Sequence, residues 1–129
     1  MKDLKTIFFF LRLPVAVSLS GHGLVRIPKL AAFSNWMVTT MEKSVLPASL
    51  TLTFGYILPF LELLIGLALL IGFKVKYSIF AGLALMTLLI LGSCSIENWN
   101  AIEAQLIHAA YLSGLLWYQL RYCNEEVKA

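Results

Sequence analysis

Five polar side chains stand inside otherwise apolar runs and could do chemistry: Arg12, His22, Glu62, Gln105 and His108. Glu62 lies in "YILPFLELLIGLALLIG", one helical turn after Pro59. A proline there cannot donate to the carbonyl of Gly55, so a kink and a free acceptor are expected. In an apolar setting Glu62 must either carry a proton or meet a cation, and Arg12 is the cation the sequence suggests. Two roles follow and stay open at this point. One is a structural Arg–Glu clamp, and the other is a proton-accepting carboxyl beside a redox or transport site. Gln105 and His108 are three residues apart and share a helical face. His22 stands between two glycines in "SGHGLVRIPKL", with Arg26 four residues on and able to share its face. A polar column of His22, Gln105, His108 and Glu62 is the expectation.

Two histidines could ligate haem from facing helices, but bulky apolar neighbours leave no sign of a cavity between them, and haem is not favoured. A quinone suits the residues better. Its carbonyl oxygens need a histidine or arginine donor and its ring needs an apolar slot, for which Phe60, Tyr111 and Trp117 are candidates. A metal site is not expected, since Cys94 is the only thiol placed near the histidines and lone cysteines are usually packed as small apolar groups. Cys94 and Cys123 form no C-x-x-C pair, which argues against thiol exchange. They are also expected at opposite ends of a hydrocarbon core of about 30 Å, beyond the roughly 7 Å that a disulfide spans between Cα atoms.

These residues need elements to hold them, and the composition says which. Of 129 residues, 60% are hydrophobic and 13% charged. A soluble domain of this size lacks the interior to hide so much apolar surface, so the class is integral membrane. Four runs are long enough to span: 6–27, 50–72, 77–96 and 102–121. Backbone groups in lipid must bond within the segment, so each is a helix. The links "FKVKY" and "ENWN" are short, which makes their flanking helices antiparallel neighbours. The longer first link places Leu30, Phe33, Trp36, Met37 and Met41 at helical spacing before Pro47. That reads as an amphipathic helix at the membrane interface. The fold expected is an all-α, integral membrane four-helix bundle with this interfacial helix between spans one and two. Ser78 with Gly82, and Ala110 with Gly114, are small-residue pairs that could let helices approach closely.

The basic balance of +3 comes from residues that flank apolar runs, so it reads as topology and headgroup contact rather than nucleic-acid binding. Lys2, Lys5, Lys74, Lys76, Arg121 and Lys128 would share one side; Arg26, Lys29 and Lys43 would share the other. This bias puts both termini in the cytoplasm. The N-terminal run reads as a retained helix, because Arg12 interrupts it and no small-residue cleavage site follows.

The run "LRLPVAVSLSGHGLVRIPKL", then "VLPASL", then Glu62, Gly66, Leu69 and Gly72 in "LPFLELLIGLALLIG", resembles the DoxX family of small bacterial membrane proteins. The resemblance covers about Arg12 to Gly92, and the whole chain, 1–129, then reads as one such domain. It implies a multi-pass protein of the prokaryotic cytoplasmic membrane. It also implies a place in a redox or quinone-linked system, since relatives include a subunit of thiosulfate:quinone oxidoreductase. The end "YQLRYCNEEVKA" departs from the glycine- and aspartate-containing tail of many relatives. No soluble catalytic domain is recognisable, so any oxidoreductase activity would need a redox partner protein. The alternative is a non-catalytic scaffold or assembly subunit whose buried polar residues are structural. The sequence leaves the oligomeric state open.

Overall fold

The computed structural model describes residues 2–123. Lys128 of the orientation argument lies outside the described residues. Five α-helices follow one another: α1 (Lys2–Arg26), α2 (Leu30–Thr40), α3 (Ala48–Ile71), α4 (Val75–Ser95) and α5 (Trp99–Tyr118). A 3-10 turn, Ile27–Lys29, joins α1 to α2, and a π-helical turn, Gln119–Cys123, follows α5.

The four long helices close a ring in the order α1, α3, α4, α5, while α2 packs on α3. The core that holds them is aliphatic: Val15, Leu19, Leu58, Leu69, Ile79, Leu85, Leu112 and Leu115. On the outside, Phe10, Val17, Leu24, Leu64, Ile71, Leu88, Leu91 and Ile107 are all more than half exposed. Scattered exposed leucines are ordinary, but belts of them along helices with satisfied backbones match lipid rather than water. Three helical segments are long and apolar enough to cross a membrane, namely Asp3–Thr40, Ala48–Ile71 and Val75–Ser95. The chain is a multi-pass membrane protein. The fourth expected span, 102–121, falls on α5 and the π-helical turn after it, but Glu103, Gln105 and His108 dilute α5, which falls short on apolar composition among the described residues.

Small residues set the closest approach. A Cβ on Gly23 would stand 2.4 Å from the Pro59 carbonyl oxygen, and one on Gly66 would stand 2.5 Å from the Ser20 backbone nitrogen. The α1–α3 pair is therefore built on glycine facing backbone. Gly55 does the same for α2, against Ser34. Of the small-residue pairs expected to seat helices, Ser78 and Gly82 are buried, with Gly82 against Leu112 of α5. Ala110 is exposed and Gly114 has nothing within 4 Å, so that pair is not a seam. Nor does Gly21, for which the same open space is found, receive a neighbouring helix.

The turns follow local chemistry. Gly72, at φ 81°, ends α3 with its N–H on the Ala68 carbonyl. Only glycine enters that left-handed region without strain. At the other end, the Asn98 side chain caps α5 by accepting from the Ala101 N–H at 3.3 Å.

Pro28 stops α1 close to the expected bound, with Arg26 as its last residue. It converts one turn to 3-10 geometry, and Lys29, at φ −131° and ψ 42°, redirects the chain into α2. One face of α2 is covered by protein, with Ser34 and Met37 buried against α3, while Trp36 stays 57% exposed.

Candidate functional site

Beneath α2 the ring of helices opens. α1 packs closely on α3, and α4 on α5, but the two pairs touch less, and at the α2 end a gap forms between them. It is a cavity of about 780 Å³, of the size that holds a small organic ligand. Its wall is mostly apolar, including Leu19, Phe33, Trp36, Met37, Phe54 and Met86. Its ionisable groups are His22, Arg26, Glu62 and His108, with Gln105 beside them.

Glu62 is almost fully buried, 4% exposed, on the inner face of α3. Its partner is Arg26, not Arg12. Arg26 Nη1 donates to both carboxylate oxygens, at 3.1 and 3.2 Å. The guanidinium also lies over the Phe33 ring, 4.5 Å from its centre. Helical phase makes this pairing available: Leu19, His22 and Arg26 fall on one face of α1, and the 3-10 turn that follows leads into α2, which supplies the aromatic cover. Arg12 lies toward the other end of α3, where its Nε donates to the Leu69 carbonyl at 2.8 Å. Leu69 is about 10 Å along the helix from Glu62 by the rise per residue.

The histidines meet. The rings of His22 and His108 are 6.0 Å apart, edge to face. His22 Nδ1 donates to the Ser18 carbonyl at 2.6 Å, and His108 Nδ1 donates to the Ala104 carbonyl at 2.9 Å. A carbonyl can only accept, so both Nδ1 atoms carry the proton. In the neutral ring Nε2 is then an acceptor, and for His108 the Ser18 hydroxyl fills it at 2.7 Å. His22 Nε2 has no such donor among the described residues. Both rings lie within electrostatic reach of Glu62.

Gln105 Nε2 donates to Ser93 Oγ at 3.1 Å, while its Oε1 is buried without a partner. Four of the five residues singled out from the sequence thus line one cavity, and Arg12 does not. Sequence reasoning missed Arg26 as a member of the group. The available signal was its position four residues after His22, on the same face. It also missed Ser18 and Ser93, whose hydroxyls hold His108 and Gln105.

The aromatic residues offered for an apolar slot are elsewhere. Phe60 and Trp117 are exposed on the outside, and the Tyr111 hydroxyl donates to the Leu11 carbonyl at 2.7 Å. Phe33, Trp36 and Phe54 line the cavity instead. The two imidazoles are in edge contact with each other, which leaves no gap for a macrocycle between them. Among the described residues no three His, Cys, Asp or Glu side chains converge to hold a metal ion. Cys94 is free and exposed rather than packed as a small apolar group.

No family model, curated protein or solved structure matches this chain.

Proposed function

We propose that this chain is the membrane subunit of a redox or quinone-linked system, and that the cavity beneath α2 holds the quinone headgroup. The observation that carries the reading is a largely apolar cavity of about 780 Å³ with four ionisable groups gathered in its wall. A buried acceptor without a partner, Gln105 Oε1, and the open Nε2 of the exposed His22 ring suit a ligand with its own polar ends. A bound quinone supplies the capacity to carry two electrons and two protons. The protein supplies the rest. Phe33, Trp36 and Phe54 would flank the ring, and Arg26 would donate to a carbonyl oxygen. Glu62 would balance the charge of Arg26, so that the cation persists in a low-dielectric site. The resemblance to the DoxX family supports the same assignment, with a redox partner protein providing the electron route and the prokaryotic cytoplasmic membrane, both termini inside, as the setting. Labelling of a cysteine at position 2 from outside intact cells would overturn that orientation.

The test is purification in native lipid followed by extraction. Bound quinone is expected, together with a rise in thermal stability on adding a quinone analogue. Absence of both removes the cofactor reading.

One observation favours a second reading. Arg26 already satisfies both oxygens of Glu62, as a structural clamp would. A non-catalytic scaffold or assembly subunit predicts that Glu62→Gln and His22→Ala impair the protein only in proportion to lost stability. The ligand reading predicts folded variants that bind no quinone analogue.

A further inference from the structure

Acceptors and donors in the cavity wall are arranged unevenly around His22. Its Nδ1 proton is committed to Ser18, which leaves the Nε2 lone pair open on an exposed ring that lines the cavity. The neighbouring hydroxyl cannot help, since Ser18 Oγ is committed to His108. Arg26 is the complement: Nη1 serves Glu62, and Nη2 and Nε have no partner among the described residues. On α1 the wall therefore offers an open acceptor and an open donor group one helical turn apart, and Gln105 Oε1 on α5 is a second open acceptor.

A carbonyl oxygen answers only half of this pattern, because it accepts from Arg26 and leaves His22 Nε2 without a donor. A hydroxyl answers both, accepting from Arg26 while its proton goes to His22. A site built to hydrogen-bond an O–H discriminates against the analogue that lacks it, since its own polar atom is then left unpaired. We propose that the cavity selects a hydroxyl-headed amphiphile, which for a quinone couple means the reduced quinol form in preference to the quinone. This rests on the quinone reading above and names the redox form that the site holds. The mouth fits the rest of such a molecule. Val45, Leu46, Leu50, Leu88 and Leu91 line the cavity and are all exposed, so an aliphatic tail would leave across apolar side chains toward lipid.

The experiment uses the full chain in lipid nanodiscs, titrated anaerobically with a short-chain alkyl benzoquinone and, separately, with the same compound reduced to its quinol. Quinol is expected to bind about tenfold more tightly, the scale of one net hydrogen bond. The bound couple then shifts by about 30 mV toward reduction, the equivalent of tenfold for two electrons. His22→Phe, which keeps a ring and removes the acceptor, is expected to bring the two affinities together. If that variant does not fold, the wild-type ratio decides alone. Equal affinities, or tighter quinone, overturn the redox-form preference while leaving the quinone site standing. Binding of neither form overturns both.

Discussion

Glu62 and Arg26 form the contact on which the site depends, and its energetics can be separated from any ligand. Breaking a buried ion pair by removing one partner typically costs roughly 3–5 kcal/mol, because the remaining charge is stranded. Arg26 keeps a side-chain exposure of 29% against 5% for Glu62, so Arg26→Ala should fall at the low end, about 3 kcal/mol. Chemical unfolding in detergent micelles would measure it. A double-mutant cycle should give strong coupling between Arg26 and Glu62, and coupling near zero between Arg12 and Glu62, because residues more than about 7–10 Å apart usually add. The sequence allowed both pairings. A carboxylate in the middle of a span demanded a cation, and that much was legible. Which arginine answers depended on how α1 is rotated and how deep it sits against α3, which no local pattern encodes. The histidine contact was readable only as shared depth, since helix rotation decides whether two rings meet.

At the scale of elements, helix existence followed directly from runs of about 20 apolar residues. The structure shows four long helices and a short one at nearly those bounds, and three of its helical segments are long and apolar enough to cross a membrane. The seams were harder to read, because glycine is common in such runs and does not announce which neighbour it faces. The structure separates them. Gly23→Ala forces a methyl group against the backbone of Pro59 and Leu63, neither of which can swing aside. A loss of about 1–3 kcal/mol is expected, as for other overpacked contacts. Gly21→Ala and Gly114→Ala meet open space and should be neutral or stabilise by about 0.5–1 kcal/mol through the helix backbone. Thermal unfolding of the three variants side by side tests the assignment of α1 to α3. The cavity itself was not legible, since it lies between the α1–α3 and α4–α5 pairs, and no local pattern encodes how two helix pairs meet.

The whole molecule is organised inside out relative to a soluble bundle, with a modest aliphatic core and an apolar exterior. This yields a prediction that no single contact carries. Leu64 is 63% exposed and touches little protein. On a water-facing surface, Leu64→Lys would change stability by less than about 0.5 kcal/mol. At a lipid-facing site near the middle of a span, insertion scales place the cost at about 2.5–3.5 kcal/mol. A glycosylation-mapped insertion assay on α3 measures it, and a near-zero cost would mean that this face does not meet lipid.

The ion pair across α1 and α3 also bears on how the chain enters the membrane. α1 emerges from the ribosome first, so Arg26 is in place before Glu62 leaves the exit tunnel. α3 then arrives with a buried carboxylate whose partner is already waiting, held 36 positions upstream. An ion pair formed on arrival would tie the two helices into one insertion event and hold α3 beside α1. Severing the chain in the link between α2 and α3 should leave the second fragment slow to integrate by itself, and co-expression of the first fragment should restore it.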